Sequence, residues 1–92
     1  MKKIKMNNNE ELNKIIGERI KEVRIERNMS QSKLAKFLNV SSSYISGIES
    51  GNKTINIKRL MQISEILDIS PGYIITGYID VKGCKSLQNK VK

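Results

Sequence analysis

Residues 31–50 read QSKLAKFLNVSSSYISGIES. Two short helices meeting at a steep angle need a small residue where the first crosses the second, and Ala35 stands there. The tight turn between them needs a residue that tolerates positive φ, and Asn39 supplies it. Val40 then plugs the corner, while Leu34, Leu38, Ile45 and Ile48 form a shared core. Ser30 precedes the first helix and Ser41 the second, each with a side-chain oxygen suited to an N-cap. Lys33 stands where a capping box would carry Glu or Gln. Gly51 stops the second helix. Together these spacings describe a helix-turn-helix. An ordinary αα-hairpin in a small bundle shares several of them, and no single element is decisive.

Working outward, Leu12, Ile15, Ile16, Ile20 and Val23 recur at helical spacing with Glu, Lys and Arg between them. They predict an amphipathic helix of four to five turns, capped by Asn9 and ending near Asn28. Downstream, Asn56 caps a fourth helix with Ile57, Leu60, Met61, Ser64 and Leu67 turned inward and Ile63 and Ile66 widening its apolar face. Asp68 and Ile69 lead to Ser70-Pro71, an N-cap followed by proline at the first helical position. A short fifth helix follows through Tyr73, Ile74 and Ile75, stopped by Gly77. Residues 78–81 alternate weakly and suit an extended segment. The expected fold is all-α, five helices over residues 10–77. Residues 1–9 form a flexible basic arm and residues 78–92 a basic C-terminal tail, a candidate dimerisation element. A domain this small buries little of its surface, and fifteen isoleucines supply compensating bulk.

The chain has 92 residues, enough for one domain. One Cys and no His exclude a Cys/His zinc site, an intrachain disulfide framework and histidine-based acid–base chemistry. No nucleophile–base pair or metal cluster is legible, so an enzyme, a metal and a cofactor are not expected. A second domain to hold a small-molecule ligand is not expected. Aromatic content of 4% is too low for a base-stacking platform. No apolar run reaches the length of a membrane span, and the opening MKKIKMNNNEE lacks the apolar stretch of a signal peptide. The expected compartment is the cytoplasm.

Net charge is +8, unevenly distributed. Residues 10–27 are neutral and residues 60–77 carry −2, whereas residues 28–59 carry +4 from Lys33, Lys36, Lys53, Lys58 and Arg59 against Glu49. Each terminal segment adds +3. An excess confined to the middle of the folded part suits a phosphate-binding face. A basic surface that only keeps the protein in solution is the plainer alternative.

The stretch from residue 17 to 54, followed by RLMQISEILDISPGYIITG, closely resembles the Cro/phage-repressor-like helix-turn-helix family, the XRE type. The similarity covers roughly residues 12–77. Its most specific pieces are SQxxLA at residues 30–35, YISxIExG at 44–51 and LxIS-P at 67–71. The resemblance implies a lambda-repressor-like domain that binds double-stranded DNA in a sequence-specific way, as a repressor and as a dimer. It places the third helix in the major groove, with Ser41, Ser42, Ser43, Ser46 and Gly47 at base edges. It assigns phosphate contacts to Gln31, to Asn52, Lys53 and Thr54 in the following loop, and to Asn56 with the N–H groups it caps. Gln31 can also brace the recognition helix. Tyr44 is either a phosphate contact or a packing residue. Arg24 and Glu49 are implied as an ion pair joining the first helix to the end of the third.

The sequence departs from the family where bases are read. Members commonly place Arg, Lys or Gln among positions 42, 43, 47 and 50, and this chain has Ser42, Ser43, Gly47 and Ser50. Serine discriminates poorly between bases. Three readings follow: a helix set deep in the groove, specificity drawn from DNA shape, or weak DNA binding by a regulator that acts mainly on a protein partner, such as an antitoxin or repressor antagonist. Gly47 is either simply tolerated or allows close backbone approach, at a cost of about 1 kcal/mol against Ala. Tyr73, Ile75, Tyr78 and Ile79 are the expected dimer contacts, the alternative being that Ile79 and Val81 close over their own subunit. Cys84 is expected to be a free thiol. Lys2, Lys3 and Lys5 belong either to an arm that wraps the duplex or to a solvated tail.

Overall fold

A computed structural model describes residues 9–77. Five helices follow one another: α1 (Asn9–Glu26), α2 (Gln31–Leu38), α3 (Ser42–Ser50), α4 (Ile57–Leu67) and α5 (Pro71–Thr76). No strand occurs among the described residues. The local signals explain most boundaries. Ser30, Ser41, Asn56 and Ser70 lie in extended backbone, and each side chain accepts from the N–H three residues on. Asn28, Asn39, Gly51, Asp68 and Gly77 are left-handed and terminate the helices. Asn9 is the first residue of α1 rather than its cap. The segment at residues 78–81, Cys84 and the lysines of the N-terminal arm lie outside the described residues.

The core joins all five helices. Ile16, Ile20 and Val23 of α1 meet Leu34, Ala35 and Leu38 of α2, Ile45 and Ile48 of α3, Leu60, Ile63 and Leu67 of α4, and Ile74 of α5. Val40 packs against this cluster from the turn, as its corner position requires. Each of the larger side chains stabilises the fold by about 1.5–3 kcal/mol on burial. The periodicity of α4 misplaces two residues: Ile57 is 71% exposed and Met61 51% exposed. They lie one turn apart on the face opposite Ile63, which is completely buried and is the true centre of the inner face.

Glycine decides how closely α1 crosses α3. A Cβ at Gly17 would overlap the carbonyl of Ile48 and lie 2.7 Å from that of Glu49. No side chain fits there without parting the helices.

Arg19 and Arg24 of α1 and Arg27 just beyond its end fasten the remaining elements. Arg19 Nη1 donates to the carbonyls of Ile74 (3.1 Å) and Ile75 (2.9 Å) near the end of α5. Arg27 donates to those of Leu67 (2.7 Å) and Asp68 (3.1 Å) at the end of α4. Helix ends leave carbonyls without intrahelical partners, and a cation is well matched to them. Arg24 turns inward to Glu49.

Candidate nucleic-acid interface

Arg24 and Glu49 are both buried and face each other in two parallel bonds, Nε to Oε2 at 2.6 Å and Nη2 to Oε1 at 3.0 Å. Arg24 Nη1 also donates to the carbonyl of Met29 at 2.6 Å, where the chain enters α2. Gln31 Nε2 donates to Glu49 Oε1 at 3.0 Å. One carboxylate therefore gathers α1, α2 and α3 and sets the orientation of α3. This is the ion pair expected from the resemblance. Gln31 is seen as a brace, and its amide oxygen makes no hydrogen bond among the described residues.

Burial of Glu49 has an electrostatic consequence. It is the only acid between residues 28 and 59, and Arg24 neutralises it. Lys33, Lys36, Lys53 and Lys58 remain exposed around α2, α3 and the start of α4. The +4 segment thus presents cations outward and keeps its one anion inside.

Ser41, Ser42, Ser43 and Ser46 are all exposed. Ser41 uses its oxygen to cap α3, accepting from the Tyr44 N–H at 3.1 Å. The hydroxyls of Ser42, Ser43 and Ser46 make no hydrogen bond among the described residues, so an outside partner can use them as donors or acceptors. Gly47 is half-buried. Its covering comes from the stem of Lys53, and its carbonyl accepts from the N–H groups of Asn52 (2.9 Å) and Lys53 (3.1 Å) and from the Ser50 hydroxyl (3.1 Å). The loop after α3 is folded back onto that helix.

The remaining positions divide between packing and exposure. Tyr44 is half-buried against the core, and the guanidinium of Arg59 lies 5.7 Å from its ring centre. Arg59 also donates to Gln62 Oε1 at 2.9 Å and to the Leu38 carbonyl at 3.4 Å, tying α4 to the turn. Asn52 and Thr54 are exposed, and the Thr54 hydroxyl accepts from Asn13 Nδ2 at 3.1 Å. Asn56 caps α4 by accepting from the Arg59 N–H at 2.8 Å. The N–H groups of Ile57 and Lys58 precede any intrahelical acceptor and stay available.

Several of these residues carry no local signature. Arg19, Arg27 and Arg59 act through carbonyls or rings of distant elements. Gly17 could have been noticed as a glycine inside a strong helical period, a pattern that often marks close approach.

These elements define a small helical domain with a buried scaffold behind an exposed, cation-flanked third helix. The family model described as a helix-turn-helix domain matches residues 17–79, more than half of the chain. The chain belongs to that family, and the class is that of DNA-binding transcriptional regulators of the XRE type. Control protein C.BamHI of Bacillus amyloliquefaciens is 34% identical over 58 residues, which cover 62% of this chain and 72% of that protein. For longer curated relatives the matched share falls to 51%, 41% and 12% of their length. Among solved structures, the P22 c2 repressor in complex with a synthetic operator superposes with a TM-score of 0.65 at 33% identity, covering 70% of this chain and 97% of the repressor. The tetramer of the restriction-modification controller protein C.Esp1396I on its natural 35 base-pair operator gives 0.61 at 35% identity, covering 68% and 83%. These relatives are regulators rather than enzymes. Among the described residues no helix is long and apolar enough to cross a membrane.

Proposed function

We propose that this chain is a repressor that binds a near-palindromic operator in double-stranded DNA as a homodimer, acting in the cytoplasm. The observation that carries it is the face of α3: Ser42, Ser43 and Ser46 exposed with unengaged hydroxyls, lysines around them, and Glu49 held inside by Arg24. Ser41, Ser42, Ser43, Ser46 and Gly47 approach base edges in the major groove. Asn52, Thr54 and Gln31 meet phosphates, and the first turn of α4 offers its N–H groups to another. Tyr44 supports this surface through its packing and its contact with Arg59. The P22 c2 repressor and C.Esp1396I, both solved on operators, support the same use of this fold.

Association uses the end of the domain. Ile75 is 37% exposed, whereas Tyr73 packs partly against its own core. Tyr78 and Ile79, beyond the described residues, continue the apolar run. A two-fold dimer through this region sets two recognition helices about 34–36 Å apart, one duplex turn.

Selection from a random duplex pool tests the reading. It is expected to return a consensus with dyad symmetry and one-turn half-site spacing. With about 6–10 phosphates contacted, log affinity against log salt falls with a slope of roughly −5 to −9. Sedimentation at micromolar concentration is expected to show a dimer that Ile75→Glu converts to a folded monomer. A pool without consensus, or strong salt-insensitive binding, would refute the proposal.

A further inference from the structure

The exposed face of α3 carries Ser42, Ser43, Ser46, Gly47 and Ser50, and no cation. Guanine presents two acceptors in the major groove, N7 and O6, and a cationic donor is the side chain that reads them best. The helix has none to offer, yet a cation lies across it. A Cβ built at Gly47 would sit 3.0 Å from each of Cγ, Cδ and Cε of Lys53. The stem of Lys53 therefore runs over the spot where residue 47 would otherwise project its own side chain.

The placement is held at its root. The N–H groups of Asn52 and Lys53 both donate to the Gly47 carbonyl, at 2.9 and 3.1 Å. Gly51 makes the turn at φ +86°, and Thr54 is tied to α1 through Asn13 at 3.1 Å. With the backbone of Lys53 pinned to α3 and its methylenes lying along Gly47, the ammonium emerges one bond beyond Cε, beside the recognition face. Lys53 is exposed and forms no ion pair among the described residues, so its charge is uncompensated.

We propose that Lys53 is the specificity-determining residue of this interface. From the loop it supplies the base-reading cation that the recognition helix lacks, and it donates to a guanine in the major groove at the position residue 47 would address. Gly47 makes the room: a single methyl there would press the Lys53 stem aside by a few tenths of an ångström, and a longer side chain would take its path. This inference rests on the DNA-binding reading above and replaces the phosphate contact first expected of Lys53.

Selection from a random duplex pool with the wild-type chain and with Lys53→Ala separates the possibilities, folding being monitored by thermal melting. The wild-type consensus is expected to contain a guanine in each half-site that Lys53→Ala no longer prefers, the other positions being retained. Binding to the consensus is expected to fall about tenfold, while binding to a duplex altered at that one base pair stays within about twofold of wild type. Gly47→Leu, which keeps the lysine but fills the path of its stem, is expected to lose the same guanine preference. Uniform weakening of all duplexes by Lys53→Ala, with a shallower salt slope, makes Lys53 a phosphate contact and overturns the proposal. So does a Gly47→Leu consensus that keeps the guanine preference of the wild type. A wild-type pool without any consensus would instead bring down the DNA-binding reading itself.

Discussion

Helices α3 and α4 differ by two residues in length, yet they use their apolar side chains differently. α3 has two isoleucines, Ile45 and Ile48, and buries both almost completely. α4 has six large apolar residues and buries Leu60, Ile63 and Leu67, leaving Ile57 and Met61 in solvent. α3 lies between α1 and α2, with its apolar positions confined to one stripe. α4 is apolar over a wide arc, and its neighbours cover only one side of it. A narrow stripe names its own inner face. A wide one leaves the choice to whatever packs against it.

The contrast can be broken by substitution. The largest effect is expected at the narrow stripe: Ile45→Ala removes a buried side chain of α3 and leaves a cavity, costing about 2–5 kcal/mol in urea unfolding. In a domain of this size that consumes much of the total stability. Removing the positive partner of the scaffold behind α3 comes next. Arg24→Ala leaves Glu49 buried without its cation and is expected to cost on the order of 3 kcal/mol. The double variant Arg24→Ala/Glu49→Leu is expected to recover part of that loss, because the stranded charge is gone. An unchanged melting point in Arg24→Ala would show that the pair does not hold the three helices together.

Gly17→Ala sharpens the comparison from the side of α1. Its new methyl meets backbone rather than a flexible side chain, so the helices must separate, at a cost of about 1–3 kcal/mol despite the better helix propensity of alanine. A gain in stability would mean that the crossing is looser than its geometry. The smallest effects belong to the outer face of α4. Ile57→Lys and Met61→Lys are expected to stay within about 0.5 kcal/mol of the parent in the same unfolding assay. A loss comparable to that of Ile45→Ala would mean that this face is covered in solution and would end the distinction between the two helices.

Much of the fold was legible in residues 31–50 and their flanks. Ser30, Ser41, Asn56 and Ser70 cap helices, and Asn39 and Gly51 close them, because each acts on backbone groups a few residues away. The core positions of α2 and α3 followed from periodicity, a property of neighbours in the chain. The assignment of the serines of α3 to base edges came instead from the resemblance to the family. Tertiary packing decided the rest. Arg27 and Arg19 find carbonyls 40 and 55 residues away, and no local pattern encodes such distances. Gly17 matters because another helix happens to pass there. Ile57 and Met61 face outward because α2 and α5 reach α4 from the opposite side. Lys53 lies over Gly47 because a turn, three hydrogen bonds and a missing side chain coincide in space, and each is individually unremarkable in the sequence.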